Sequence, residues 1–548
     1  MTLFLERACN VAQRFSIANT EDANAVQEIC RRLDGIPLAI ELAASRMASM
    51  TASEVRDRLD HRFRLLIGSR RGVARHQTLR HAVAWSYDHL NCAEKALLEQ
   101  CSVFAGGFDL QSACAVAGSD DLDDFALLDL LDSLVRKSLL VADHSAGHTR
   151  FSVLETIRQF AQEQLVARGK ATEARMAHAR YYAGLEADIL ALWDSPRQHE
   201  AYGWFAVELA NLRTAFRWAA DGGDLDVAAP IATYATLLGL MVENYEPIAW
   251  AEELIEPASA VDHARLASLY AMATQCWIVG RMDDAVRYSE AGQAAFHKSR
   301  GRVPQGFEAW LGAIFTQIGQ PDRSIEVFGV GLAGFRDADV LARAALMIAK
   351  TMAGSHDEAM AAAVGLIEAA EATRNPHLLA FTLLIYGMAH CDADPSRARD
   401  AMRRGLAVAH DSGNRYDESH LANVLGRLEA RYGDPMATLD HLTMAIRNYR
   451  DSGNTTVIRI PLAVLAALLD RLGLHEPAST IAGFAFSTVT TSWIPEFSDA
   501  ILHLREVLGD PIYESLAHTG KTMTTAEMVT YAYDQVDQAR AALEALSQ

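Results

Sequence analysis

The sequence predicts a mainly α protein: a helical N-terminal segment, a small three-helix unit closed by a β-hairpin, and a long solenoid of paired helices. Three observations lead there. Apolar residues recur at spacings of three and four, as in Ala25–Val26–Ile29–Leu33 and Leu127–Leu130–Leu131–Leu134, while Val/Ile/Thr alternation is rare. Two short β-prone runs flank Gly147. From about residue 171 onward, glycines recur before acidic or polar turns at a nearly constant interval.

A chain of 548 residues is too long for one core. The expected divisions are a helical segment over 1–90, the hairpin-closed unit over 91–170 and a connector with a first repeat over 171–260. Repeats over 261–495 and a helical cap over 496–548 complete it. The N-terminal segment should hold several short helices. Thr20–Glu21–Asp22 caps one that runs to Arg32, and Asp34–Gly35–Ile36–Pro37 breaks it. Pro37 then opens the next helix, and Thr51–Ala52–Ser53–Glu54 is a capping box for another.

The second unit has a different grammar. Helices are expected at about 93–104, 109–117 and 124–138. Leu139–Leu140–Val141–Ala142, the Gly147 turn and Thr149–Arg150–Phe151–Ser152–Val153 form the hairpin, and helix returns from Glu155 to about Ala167. Three helices and a small hairpin make a winged helix.

The repeat register is carried by Gly280, Gly319, Gly354, Gly433 and Gly473, with the missing member at Ala393. Five residues on lie Ala285, Ser324, Ala359, Ala398 and Ala478, with Ala437 one early. Seven back lie Ala273, Gly312, Gly426 and Ala466, with Met347 and Tyr386 as exceptions. Twelve on lie Gly292, Gly331, Gly405, Ala445 and Ala485, with Gly365 one off. Small residues at fixed offsets belong where two helices of a pair pack closely, which is the pattern of a tetratricopeptide-like α-solenoid. Gly223, Ala228 and Ala235 suggest an earlier pair.

Composition narrows the function. The net charge is −20, with about +3 on residues 1–90 and −23 on the rest, so the body repels DNA and anionic membrane. The longest strongly apolar run, Pro230 to Val242, is too short to span a bilayer. No basic stretch followed by an apolar core opens the chain, and a cytoplasmic address is expected. Seven scattered cysteines (Cys9, Cys30, Cys92, Cys101, Cys114, Cys276, Cys391) with no CxxC pair read as buried free thiols rather than metal ligands or disulfides.

The most informative stretch is CRRLDGIPLAIELAASR, Cys30 to Arg46. It resembles the GLPL motif in the lid of signal-transduction (STAND, NB-ARC-like) ATPases. The following motifs are similar to those of bacterial LuxR-type and adenylate-cyclase-linked regulators: Gln77–Arg80, Trp85–Tyr87, the VFAGGF turn from Val103 to Phe108, Val135–Leu139 and Leu154–Arg158. The resemblance covers essentially the whole chain. It implies an ATPase lid over 1–90, and contact of Gly35 and Pro37 with the adenine side of a nucleotide. It also implies a nucleotide-binding α/β subdomain preceding the segment seen here.

The residues argue against independent ATP chemistry. A P-loop needs GxxxxGK[ST]. The only Gly-Lys-Thr is Gly520–Lys521–Thr522, with Ser515 where the first glycine belongs, and it reads as a solvated turn. Asp120, Asp121, Asp123 and Asp124 sit in a polar loop rather than at a strand end suited to magnesium. Related ATPases carry a phosphate-sensing histidine in a Met-His-Asp motif, and here Val153–Leu154–Glu155 puts Leu154 in its place. The third winged-helix helix carries Asp129 and Asp132, with only Arg136 and Lys137 at its end, which does not suit a major groove. His76, His81, His89, His144 and His148 read as surface residues, and no spacing marks a catalytic or metal site.

The expectation is therefore a regulatory protein without enzymatic activity or cofactor of its own. ATP or ADP would enter only with an upstream subdomain, and a protein partner or small effector would bind the repeats. Direct DNA binding and membrane contact are not expected. A truncated ATP-dependent transcriptional regulator and a free-standing repeat scaffold are the alternatives.

Overall fold

A computed structural model describes residues 1–11, 20–33, 40, 43–44, 46–48, 50–57, 59, 80, 83–118, 123–144, 149–299, 307–334 and 340–547. The chain divides into two units, Met1–Tyr182 with Val207–Trp218, and Ala183–Ala206 with Ala219–Gln548.

The first unit opens with α1 (Thr2–Val11), α2 (Thr20–Arg32), a 3-10 turn (Arg46–Ala48) and α3 (Ala52–Asp57). Their apolar faces meet in one cluster that includes Phe4, Val26, Ile29, Leu33, Ala44 and Val55. The Ala25–Leu33 periodicity thus becomes the buried stripe of α2. The Thr51 capping box closes as expected: Glu54 N–H donates to Thr51 Oγ1 at 3.2 Å and Thr51 N–H to Glu54 Oε2 at 2.9 Å.

The winged helix follows, with α4 (Cys92–Cys101), α5 (Leu110–Ala117), α6 (Asp124–Arg136), β1 (Val141–Asp143), β2 (Arg150–Ser152) and α7 (Glu155–Ala167). The two strands pair antiparallel with Ala142 opposite Phe151. Asn91, Asp109 and Asp123 each cap their helix with a side-chain oxygen, which sets the three starts. Leu127, Leu131 and Leu134 form the buried stripe of α6. Next come α8 (Ala171–Gly184) and α9 (Glu186–Trp193), and then the long α10 (Gln198–Asp221), whose residues 207–218 belong to this unit.

The second unit is a succession of helical pairs. It contains α11 (Leu225–Met241), α12 (Glu246–Ala260), α13 (Leu266–Ala273) continued by a 3-10 turn (Thr274–Val279), and α14 (Met282–Ser299). Then follow α15 (Phe307–Gln317), α16 (Pro321–Gly334), α17 (Val340–Met352), α18 (His356–Ala363) and α19 (Leu366–Thr373). The array continues with α20 (Pro376–His390), α21 (Pro395–Ser412), α22 (Arg415–Tyr432), α23 (Pro435–Ser452), α24 (Arg459–Arg471) and α25 (His475–Ala485). The chain closes with α26 (Thr488–Trp493), α27 (Pro495–Leu508), α28 (Asp510–Thr522) and α29 (Thr525–Ser547). The apolar run from Pro230 lies in α11, which is buried from Val227 to Met241. Among the described residues no helix is long and apolar enough to cross a membrane.

The glycine register falls on the turns inside the pairs. Gly223, Gly280, Gly319, Gly354 and Gly473 take positive φ, where only glycine is unstrained. Ala393 occupies the turn between α20 and α21. Gly433 ends α22, as the register predicts, at φ −134°, outside the left-handed region. Two details differ from the sequence reading. In the same pair the buried residue is Thr438, five after Gly433, so the register holds and Ala437 is not its member. Gly365 is not a packing residue: at φ +68° it separates α18 from α19, and the next residue, Leu366, takes the buried position. Gly331 lies outside the described side chains.

The packing glycines match large residues on the partner helix. A Cβ on Gly312 would lie 2.3 Å from the Phe328 ring, and one on Gly426 2.8 Å from Leu442 Cδ2. Phe328 and Leu442 each lie sixteen residues further on, so in these two pairs the sequence sets a hole opposite a knob at the same offset.

Candidate functional site

The sequence's own candidates, Gly35 and Pro37, lie outside the described residues, as do Gln77–Leu79, His76, His81, Asp120, Asp121 and His148, and the Cys9 side chain. Gly520–Lys521–Thr522, expected as a solvated turn, is the last turn of α28: Lys521 and Thr522 are exposed, but Gly520 is not. Gly520 is buried where α28 crosses α25, and a Cβ there would lie 1.8 Å from the Thr480 carbonyl oxygen. Glycine is required by the helix crossing, so this Gly-Lys-Thr is not a phosphate cradle.

The described motifs of the winged helix hold it together. The VFAGGF turn docks on Asn211 of α10. Asn211 Oδ1 accepts from Ala105 N–H at 2.9 Å and Gly106 N–H at 3.2 Å, and its Nδ2 donates to Gly107 O at 2.9 Å and Glu208 Oε2 at 2.7 Å. Arg150 pairs with buried Glu208 at 2.6 Å, and Tyr182 donates its hydroxyl to the same carboxylate at 2.7 Å. Tyr87 of the Trp-Ser-Tyr segment donates to Glu99. In Val135–Leu139, Lys137 reaches Glu94 on α4; with Ser133 and the Asn91 amide it holds that carboxyl down to about 2 against the opposing cost of burial. Leu154 merely precedes α7, and Glu155 and Arg158 pair with each other. The outward residues of α6 are Asp124, Phe125, which is 80% exposed, Leu128, Asp129, Asp132 and Arg136, the last paired with Asp132 at 2.6 Å.

The second unit contains a cavity of about 700 Å³. Its wall is mainly apolar, with Trp310, Phe328, Ile348, Phe381, Leu384 and Met388 from successive pairs, and Trp493, Ile494 and Pro495 from the segment that enters α27. That size suits a small organic ligand. Arg427 and Arg431, one turn apart on α22, line it but are neutralised. Arg427 meets Glu496 at 3.1 Å, and Arg431 meets Asp392 at 2.6 Å and Glu496 at 3.0 Å. Glu496 therefore ties the first turn of α27 to α22 beside the cavity.

His377 sits in the same wall. Its ring nitrogen Nδ1 lies 2.7 Å from buried Asp417, which also accepts from Asn414 Nδ2 at 2.8 Å. Gln198 of α10 accepts from the His377 backbone N–H at 3.1 Å and donates to Asn375, which donates to Asp194 after α9. This polar network anchors α9 and the start of α10 to α20 and α22. Cys391 also lines the cavity, but burial pushes its thiol up to about 11, so it is not a thiolate near neutral pH. The six described cysteines are free thiols; the sequence reading expects them buried, but only Cys101 and Cys276 are, and Cys92 is exposed.

Residues 90–166 match the winged helix-turn-helix domain family. Curated relatives agree on part of the chain. A Mycobacterium tuberculosis protein carrying the name "Putative HTH-type transcriptional regulator" is 46% identical over 232 residues, 42% of this chain and 26% of its own length. A Mycobacterium bovis protein named only as uncharacterized is 43% identical over 181 residues, 33% of this chain and 45% of its own. The chain thus spans about a quarter to under half the length of these relatives. Among solved structures, a STAND protein with a tetratricopeptide repeat sensor from Pyrococcus horikoshii aligns at TM-score 0.43 and 16% identity. That alignment covers 91% of this chain and 74% of the other.

Sequence reasoning missed the cavity because its wall comes from residues 277 to 495 and no local spacing announces it. One trace was legible: Arg427 and Arg431 share a helix face with Tyr416, His420 and Asn423, an unusually polar stripe for a solenoid interior.

Proposed function

We propose that this chain is a regulatory part of a transcriptional or cyclase-linked signalling protein of the LuxR-type STAND group, in which the helical-pair unit senses an effector. The observation that carries this reading is the apolar cavity of about 700 Å³ inside that unit. The winged helix-turn-helix match and the regulator name of the partial relative support the regulatory setting. In this reading the winged helix is a packing module: its third helix presents Phe125, Leu128 and three aspartates outward, and its one arginine, Arg136, is paired with Asp132, so DNA is not its ligand. The N-terminal segment would couple the sensor to a nucleotide-binding partner subdomain, with Gly35 and Pro37 on its adenine side. The chain by itself hydrolyses no ATP, and it works in the cytoplasm.

The test uses 8-anilinonaphthalene-1-sulfonate, a fluorescent probe of apolar cavities. One equivalent should bind the native chain, and Ala313→Trp, which fills the cavity from a half-buried wall position, should abolish binding without loss of helical circular dichroism. Equal binding by both proteins would remove the cavity from the function.

A further inference from the structure

We propose that Asp470, His475 and His503 form a binding site for a divalent first-row transition ion. They come from three elements: Asp470 from the last turn of α24, His475 from the start of α25 and His503 from the third turn of α27. His475 Nδ1 lies 3.1 Å from Asp470 Oδ1, and His503 Nδ1 lies 2.9 and 3.0 Å from the two carboxylate oxygens. One ligand atom from each residue falls within 4.8 Å of the others.

Both imidazole–carboxylate separations match edges of a metal polyhedron, and the two imidazole ligand atoms lie within 4.8 Å of each other. Ligands about 2.0–2.2 Å from an ion, at angles between octahedral and tetrahedral, stand about 3.0–3.4 Å apart. Two imidazoles and one carboxylate suit zinc and its first-row neighbours, whereas calcium and magnesium require several oxygen ligands. Asp470 is buried and fixed by its helix, His475 is partly covered, and the His503 side chain is about half exposed. Solvent can therefore reach the ion and complete its coordination. The residues are five and twenty-eight apart in sequence, so no local spacing signals the site.

Occupancy has a structural consequence. The ion would clamp the middle of α27 to the α24–α25 turn, while Glu496 in the first turn of the same helix holds Arg427 and Arg431 beside the cavity. Metal would thus order the helix whose entry segment walls the cavity. The site itself stands whether or not the cavity binds an effector.

The experiment is a calorimetric titration of the chelator-treated full chain with zinc, repeated with cobalt(II) to read d–d absorption. One tight equivalent is expected, accompanied by a rise in melting temperature. His503→Ala and His475→Ala should each weaken it at least tenfold, and Asp470→Asn should do the same, while His518→Ala, an exposed histidine outside the cluster, should leave it unchanged. Because His503 is half exposed, its variant should keep the native circular dichroism. The proposal is overturned if the native chain takes up no tight equivalent, or if that equivalent survives His503→Ala and His475→Ala, which would place the ion elsewhere.

Discussion

Asn211 and Gly107 are joined across more than a hundred residues by a hydrogen bond of 2.9 Å from the Asn211 amide to the Gly107 carbonyl. The same side chain satisfies the backbone amides of Ala105 and Gly106, so one buried residue of α10 closes the whole glycine turn of the winged helix. Removing it takes the partner from three part-buried backbone groups at once and from buried Glu208. Asn211→Ala should cost the first unit roughly 2–4 kcal/mol. Urea unfolding followed by hydrogen exchange over residues 90–166 would check this, and a loss below a few tenths would contradict it.

The two units should respond oppositely to mild acid. His178 in the first unit is held down to about 4, chiefly by burial and against an opposing hydrogen bond from Asn211. Between that value and its ordinary 6.5 the unfolded chain binds the extra proton, so stability is full above 6.5 and falls as pH drops toward 4. Glu243 in the second unit is raised to about 7, again chiefly by burial, against lowering contributions from Ser419 and Arg415. Both its carboxylate oxygens are buried without hydrogen-bond partners. Here the folded chain holds the extra proton, so stability is full below 4.5 and declines as pH rises through 7. Each shift corresponds to roughly 3 kcal/mol at the end of its window. Glu243→Gln should therefore stabilise the second unit at pH 8 and change little at pH 4.5. Equal effects at both pH values would refute the assignment.

The knob-and-hole match predicts where the array breaks. Gly426→Leu must displace Leu442 and should cost about 1–3 kcal/mol or more, lowering exchange protection over roughly 415–475 and leaving distant pairs untouched. Glu326→Leu, at an exposed position, should have little effect. Unchanged protection in the first variant would show that the α22–α23 contact is not tight.

ATP turnover should be absent from the purified chain, and Lys521→Ala should change nothing, because Lys521 projects from an exposed helix end rather than a phosphate loop. Phosphate release above a heat-denatured control would require a site unlike any P-loop.

The sequence alone determined the helices, the winged-helix order and the repeat register. Local signals suffice for these: the capping box at Thr51, the leucine stripe of α6, and glycines where a turn needs positive φ. Even its errors were local, as at Gly365, where a glycine can serve either a close contact or a left-handed break and only the surrounding packing chooses. Tertiary structure decided the rest. Gly520 is a crossing point of α25 and α28, His475 and His503 converge on Asp470, and residues from Trp277 to Pro495 surround one cavity. Those relations depend on how successive pairs stack, and stacking brings together side chains that no short window of sequence contains.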